Sequence, residues 1–509
     1  MTLREVIVRE IRERGPISFS RYMELCLYHP ELGYYSRSAD QFGKAGDFYT
    51  SSDVHAVFGR LLARQFDEMW RVLGLPEQIE ILELGPGRGL FAQDVLDWSE
   101  KKSTEFFRAL HYSLLERSPA LRERLRLTLA RHFKAGKASL TTDAYDPLTS
   151  SSRAAPGRSL HERLGGVEGS GVSPADGTGE PCACENSSRG AAEYDSPVRH
   201  RGPRSARSWR SGVERCRVGA KNECESRRDD TIIRASALEI PIIIFANEFF
   251  DALPVEILSA QGALRICEQT EGRAAEGETG DSYQGMPSGM PQERQSQRAF
   301  RRRIPEADPH DARLAESWDL ATPEELEFLD RYSVHPEVGE RIEVPLTAQR
   351  AMIEIAGLVQ RGFILAIDYG YTRQQQLAGR HRGTLAAYRQ HSEGSNPYEA
   401  PGEQDITAHV NFTALADTAA RQGMSVQPLL TQSQFLLGLG EQNQFLDAFE
   451  ECRLPQERAK VALQLKHLIT PEGMGETFHV LLVSKGVASE KVTGLSGLNF
   501  GKGRLGYAG

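Results

Sequence analysis

Ile79-Glu80-Ile81-Leu82-Glu83-Leu84-Gly85-Pro86-Gly87-Arg88-Gly89-Leu90 is the stretch whose reading decides the fold. A short apolar run over residues 79–84 breaks at once into a glycine cluster, and apolar residues over 90–98 then recur at helical spacing. That succession is strand, tight loop, helix. Glycines at such a junction permit the sharp turn and let backbone N–H groups and the helix N-terminus approach a ligand. The spacing is G-x-G-x-G. The G-x-G-x-x-G pattern of dinucleotide-binding folds needs glycine where this chain has Leu90.

Working outward, a second buried run over 112–115 ends in Glu116, and a third over 242–245 stops at Asn247-Glu248-Phe249-Phe250-Asp251. A fourth over 363–367 ends in Asp368-Tyr369-Gly370, and residues 478–483 form the last convincing strand. Between them lie helical patterns, including residues 348–358. Upstream, Val54, Val57, Phe58, Leu61, Leu62, Phe66, Met69 and Trp70 follow the spacing that buries one face of a helix, so this stripe is core. No internal repeat is visible, and strands separated by helices predict a doubly wound, largely parallel α/β sheet.

Three groups of residues stand where such sheets place ligands. Glu83 lies just before Gly85, Gly87 and Gly89. Glu116 ends the second strand, where one carboxylate can accept hydrogen bonds from two ribose hydroxyls; a solvent-facing cap is the plain alternative. Asn247, Glu248 and Asp251 follow a buried strand, and the two carboxylates could fix a planar guanidinium by paired, charge-assisted hydrogen bonds. Asn247 and Asp251 could equally cap a following helix. His29 and His409 invite a general-base reading, but a hydrogen-bonded structural histidine is the simpler account.

With 39% hydrophobic residues, a net charge of -9 and a pI near 5.9, the 509-residue chain has no overall pull toward nucleic acid or anionic membrane. No apolar run is long enough for a membrane span, and the first residues, MTLREVIVREIRERG, resemble neither a signal core nor a transit peptide. Seven cysteines in this length make no disulfide framework, so the expected compartment is a reducing cytoplasm. Over 151–230, Arg, Ser and Gly supply 36 of 80 residues with no Ile, Phe or Met, which predicts a disordered insertion. Cys182, Cys184, Cys216 and Cys224 within it match no paired zinc spacing, so no metal site is expected. A second polar insertion is expected over 268–305.

The G-x-G-x-G loop with its upstream acid resembles the first motif of class I methyltransferases. Many further segments resemble the MidA-type methyltransferases, a family that includes a mitochondrial complex I assembly factor methylating a protein arginine. They are Ile17-Ser18-Phe19-Ser20-Arg21-Tyr22-Met23, Tyr28-His29-Pro30, Gly33-Tyr34-Tyr35, Gly46-Asp47-Phe48-Tyr49-Thr50, Glu116-Arg117-Ser118-Pro119-Ala120-Leu121, residues 247–255, Ile367-Asp368-Tyr369-Gly370, Gly383-Thr384-Leu385, residues 405–412 and Met474-Gly475. The resemblance covers nearly all of the chain outside the two insertions.

It implies a class I, Rossmann-like core that binds S-adenosyl-L-methionine through Glu83, Gly85, Gly87, Gly89 and Glu116, with Asp47, Tyr49 and Thr50 nearby. The expected plan has a helical, cofactor-covering segment over 1–75, core over 76–150, 231–267 and 306–370, a covering region over 371–475, a final strand over 476–487 and a flexible tail over 488–509. Glu248, Asp251 and Asn247 are the expected catalytic residues, and a protein arginine is the expected substrate. The competing expectations are methylation of nucleic acid or a small molecule, and a non-catalytic assembly protein that keeps the fold. The oligomeric state is open, with a homodimer as one option.

Overall fold

The computed structural model describes residues 1–37, 56–141, 240–269, 313–379, 383–389, 392–393, 396–441 and 443–500. The apolar runs become the centre of one sheet: β1 (Ile79–Leu84), β2 (Leu110–Leu115), β3 (Ala138–Thr141), β4 (Ile242–Asn247), β5 (Gly362–Tyr371), β6 (Ser425–Val426) and β7 (Phe478–Lys485). Their order across the sheet is β3-β2-β1-β4-β5-β7-β6. From β3 to β5 every pairing is parallel, and β7 runs antiparallel to both β5 and β6. The chain starts in the middle, winds outward to β3, then returns to β4 on the other side of β1. The switch point is therefore between β1 and β4, where open α/β sheets leave a crevice beyond the strand ends.

Register fixes what meets at that crevice. Leu84 is paired with both Leu115 and Ala246, and Asn247 with Ile367. The residues that follow, Gly85, Glu116 and Glu248, thus leave the sheet side by side, next to Asp368, where β5 continues beyond them paired with β7.

The all-apolar strands are explained by burial on both faces, as parallel sheets require. In β4, Ile243 and Phe245 pack with the helices Val57–Val72 and Leu90–Lys102 on one side. Ile242, Ile244 and Ala246 pack with the helices Leu346–Leu358 and Phe412–Arg421 on the other. Phe91 stacks on Phe245 with ring centroids 4.4 Å apart, directly beneath the glycine loop that starts its helix.

The expected plan is corrected in two places. A second, antiparallel sheet joins Ile17–Ser18, Glu256–Ser259, Gly262–Glu268, Leu314–Asp319 and Ile342–Val344. Parts of 231–267 and 306–370 that were expected in the core belong to it instead. The expected N-terminal segment is likewise divided. Helices Leu3–Arg14 and Phe19–Tyr28 pack through Ile7, Phe19, Tyr22 and Met23 on Ile257, Leu264 and Ile266 of the second sheet, while Val57–Val72 serves the first. Short strands paired across great sequence distances, such as Ile17 with Ile266, leave no local periodicity to read.

The expected tail from 488 is the second correction. Helix Ser489–Val492 and a 3-10 turn, Ser496–Leu498, are seated on Val57–Val72. The backbone N–H and hydroxyl of Ser496 donate to the two carboxylate oxygens of Glu68 at 2.8 and 2.7 Å, and the Gly497 N–H donates to Gln65 Oε1 at 3.1 Å. Val492 and Leu495 are buried in the core. The insertion expected over 151–230, with its four cysteines, lies outside the described residues, as does that over 268–305 apart from Glu268 and Gln269.

Because Leu495 fills core space rather than dangling, Leu495→Ala should cost about 2–4 kcal/mol in chemical denaturation. A loss under about 0.5 kcal/mol, the value for surface positions, would mean that the segment contributes nothing to the fold.

Candidate active site

The loop after β1 is shaped by its glycines. Gly85, Gly87 and Gly89 have φ of 64°, 53° and 77°, the left-handed region that side chains rarely adopt. The Gly85 N–H donates to Leu115 O at 3.0 Å and the Gly89 N–H to Pro86 O at 2.9 Å, which closes the turn against β2. A Cβ on Gly89 would lie 2.5 Å from Leu125 Cδ2, the end of a side chain that can move aside, so it is the left-handed backbone that calls for glycine there. A Cβ on Gly87 would meet nothing within 4 Å, so that the loop has an open side there. Helix Leu90–Lys102 starts at Gly89 with no side-chain cap, leaving its first N–H groups beside the loop.

Two buried acids stand behind this turn. Tyr112 donates its hydroxyl to Glu83 Oε2 at 2.8 Å. Burial pushes the Glu83 carboxyl up to about 8, the Tyr112 bond opposing and neighbouring Glu116 adding to the rise. Glu116 accepts the Ser118 N–H at 2.9 Å, and the N–H groups of Gly87 and Arg117 also face it. Burial raises it to about 7 against those bonds. Glu116 is not the helix cap: that is Ser118, whose Oγ accepts the Leu121 N–H. The carboxylate and the open position of the glycine loop are thus one hydrogen-bonded unit.

Beyond β4, the chain turns through Glu248 at φ 50°, a conformation costing a side-chain-bearing residue about 1–2 kcal/mol. The Glu248 N–H donates to Ile367 O at 2.9 Å. The turn is held from β5: Asp368 Oδ2 accepts the N–H groups of Phe249, Phe250 and Asp251 at 3.1, 2.9 and 3.3 Å. Burial, with Asp251 and Glu248 nearby, pushes Asp368 upward, the backbone donors opposing. Asn247 Nδ2 donates to Glu248 Oε1 at 3.1 Å. Asn247 Oδ1 is buried and, among the described residues, has no hydrogen-bond donor.

Asp251 accepts the Tyr369 hydroxyl on Oδ2, the backbone N–H groups of Asp251 and Ala252 also face the carboxylate, and its Oδ1 is buried with no side-chain donor among the described residues. Burial raises Asp251 to about 6. No helix follows this turn, since the next element is the strand Glu256–Ser259, so neither Asn247 nor Asp251 is a helix cap.

The N-terminal helices reach the same place. Tyr28 donates its hydroxyl to Ala252 O at 2.9 Å, its ring carries the Arg117 guanidinium at 5.1 Å, and Tyr35 donates to Asp405 Oδ1 at 2.9 Å. His29 is structural: its Nδ1 accepts the N–H groups of Glu31 and Leu32. His409 donates its N–H to Thr384 Oγ1 and packs edge-on to Tyr369. Asp47, Tyr49 and Thr50 lie outside the described residues.

The structure therefore brings together Glu83, Gly85, Gly87, Gly89 and Glu116 on one side of the switch point, and Asn247, Glu248 and Asp251 on the other. Missing from the sequence-derived candidates are Tyr112, Tyr28, Asp368 and Tyr369. For the last two a signal existed in the Asp368-Tyr369-Gly370 end of a buried strand.

A parallel sheet of this order, a reversed strand beside its edge and a glycine turn facing an acid on the second strand together define a class I methyltransferase fold. The chain belongs to the family described as "Putative S-adenosyl-L-methionine-dependent methyltransferase", whose model matches residues 61–158 and 225–430. It is thus an S-adenosyl-L-methionine-dependent methyltransferase. A crystal structure from Burkholderia thailandensis bound to S-adenosyl-homocysteine shares the fold, with a TM-score of 0.60 at 21% identity over 96% of this chain and 92% of that one.

Among curated relatives, the Drosophila melanogaster protein arginine methyltransferase NDUFAF7 homolog, mitochondrial, is 40% identical over 114 residues, 22% of this chain and 25% of the fly protein. The Danio rerio protein arginine methyltransferase NDUFAF7, mitochondrial, is 23% identical over 495 residues, 94% of this chain and 85% of its own length. The Mus musculus protein of the same name is 25% identical over 478 residues, 93% of this chain and 82% of its own length.

A carboxyl raised in the folded state stabilises most below its unfolded value and loses that stabilisation as pH climbs through the folded one. Glu83, at about 8 against an ordinary 4.5, therefore makes the ligand-free protein less stable as pH rises between those values. Glu83→Gln should flatten urea-unfolding stability against pH by up to about 1.4 kcal/mol per pH unit in that window. Parallel slopes for the variant and the wild type would show that Glu83 stays ionised.

Proposed function

We propose that this methyltransferase N-methylates an arginine side chain of a protein partner. The observation that carries the reading is the pair of carboxylates, Glu248 and Asp251, on one turn at the sheet's switch point, with Asp251 Oδ1 buried and without a side-chain donor among the described residues. A guanidinium offers several N–H donors in one plane and a positive charge, which is what two acceptors on one turn complement. The names of the fly, zebrafish and mouse relatives favour the same substrate.

The residues on the other side fit the cofactor. Glu116 is placed to accept ribose hydroxyls, the open face at Gly87 leaves room for the sugar and methionine portion, and the Gly85 and Gly89 turns bring backbone close without a Cβ in the way. Glu83 backs the loop through Tyr112. S-adenosyl-L-methionine supplies a methyl group on a positively charged sulfur.

The chain's part is alignment and electrostatics. Glu248 and Asp251 hold the guanidinium so that one nitrogen points along the line of displacement. The N–C bond forms as the S–C bond breaks, and the proton shed by that nitrogen passes to a carboxylate. With Asp251 at about 6, its carboxylate is mostly ionised at neutral pH and able to accept it.

Two measurements test this. Calorimetric titration with S-adenosyl-L-methionine should show saturable binding that Gly87→Val and Glu116→Ala each weaken by about tenfold or more, roughly 1.4 kcal/mol. With arginine-containing protein partners, mass spectrometry should place the methyl on a guanidino nitrogen. Asp251→Asn and Glu248→Gln should lower kcat by about 100-fold at nearly unchanged cofactor affinity. A methyl group found on a nucleobase or a metabolite instead would remove the arginine assignment.

A further inference from the structure

Asp251 does not stand alone at the end of β4. The Tyr369 hydroxyl donates to its Oδ2, and among the described residues Tyr369 is the side-chain donor to this carboxylate. The Tyr369 ring is held in turn, edge-on to His409 with centroids 5.3 Å apart and to Phe478 at 5.5 Å. The Tyr369 N–H donates to Asp368 Oδ1 at 2.9 Å, and the other oxygen of Asp368 carries the backbone of Phe249, Phe250 and Asp251. Two consecutive residues of β5 thus grip the turn: the Asp368 carboxylate accepts the turn's backbone N–H groups, and the Tyr369 hydroxyl donates to the Asp251 carboxylate.

On the reading that Asp251 handles the substrate nitrogen, we infer that Tyr369 is a positioning residue for methyl transfer: its hydroxyl fixes the rotation of the Asp251 carboxylate, leaving Oδ1 as the oxygen offered to the guanidinium. The terminal torsion of an aspartate is broad and nearly two-fold, so sequence position alone does not choose which oxygen is presented. The Tyr369 hydroxyl, the side-chain donor to a carboxylate that the Asp251 and Ala252 N–H groups also face, makes that choice. A methionine or phenylalanine at 369 would keep the packing against Phe478 and lose the selection.

The same hydrogen bond favours the ionised carboxylate. The other charged and titratable groups around Asp251 are the Asp368 carboxylate, with Glu248 beside it, and the Tyr28 and Tyr35 hydroxyls on the N-terminal segment, with Arg117 over the Tyr28 ring, Asp405 bonded to Tyr35 and His409 edge-on to Tyr369. The backbone N–H groups of Asp251 and Ala252 that face the carboxylate remain in a Tyr369→Phe variant, but none of these side chains supplies the lost hydroxyl, so the Asp251 carboxyl rises further.

The first measurement needs no substrate. Urea unfolding of wild type, Tyr369→Phe, Asp251→Asn and the double variant is followed between about pH 5 and pH 8. Since the folded carboxyl is raised, stability falls as pH climbs through its folded value, and a further rise extends that fall. The Tyr369→Phe deficit should grow with pH in the wild-type background and be independent of pH in the Asp251→Asn background. An equal, pH-independent deficit in both backgrounds overturns the inference and leaves Tyr369 a packing residue.

The second measurement follows methylation of a mixture of arginine-containing peptides against pH. Tyr369→Phe should move the acid limb of kcat/KM up by about one pH unit, a roughly tenfold loss on that limb, with the KM for S-adenosyl-L-methionine unchanged. An unmoved limb also overturns it. Should the wild type methylate no arginine peptide, the substrate assignment fails, and the unfolding data still decide whether Tyr369 governs Asp251.

Discussion

The Asp368 carboxylate, fully buried at the end of β5, collects four backbone N–H groups: Phe249, Phe250 and Asp251 on one oxygen and Tyr369 on the other. A buried anion without partners would be severely destabilising, and a turn of unpaired N–H groups at a strand end would be as well. Each solves the other's problem. With the turn fastened in this way, Glu248 can occupy its left-handed conformation, Asp251 can sit against Tyr369, and Tyr28 can dock on Ala252 O. The Asp251 side of the crevice is held in place because one strand grips the turn of its neighbour.

The opposite side works by another rule. There the glycine loop removes side chains so that backbone comes close, and Glu116 is bonded to Gly87 through its N–H. Glu83 and Glu116 are both raised by burial, to about 8 and about 7, so the ligand-free crevice keeps its acids near the point of ionisation at neutral pH. A cationic ligand entering such a place would draw both toward the charged form. The two sides thus differ in kind, with conformational freedom cut away around Asp251 and charge held in reserve around Glu116.

Much of this was legible from local pattern. The runs ending at Leu84, Leu115, Phe245 and Ile367 announced a parallel sheet, because strands buried on both faces read as continuous apolar segments and each broke into polar or glycine residues. The glycine spacing named the loop. Asp368 and Tyr369 were visible as a motif, but their roles were not, since both act on a turn more than a hundred positions earlier and only strand order brings them there. The second sheet was invisible for a related reason: its pairs, such as Ile17 with Ile266 and Glu256 with Val344, are short and distant, and nothing in any single window sets their register. The segment after Ala488 looked polar enough to be a loose tail, although Val492 and Leu495 are the residues that anchor it.

The hairpin of that second sheet has a bearing on how the chain can vary over evolution. Glu268 and Leu314 are register partners, so the point where the chain departs and the point where it returns are already at hydrogen-bonding distance. Whatever number of residues joins them, the pair of strands closes the loop in the same way, and the entropy of closure grows only as the logarithm of that number. Descendants can lengthen, shorten or rewrite the connection while the row of strand ends that carries the chemistry keeps its register, which gives this enzyme a place to acquire new sequence without renegotiating its crevice.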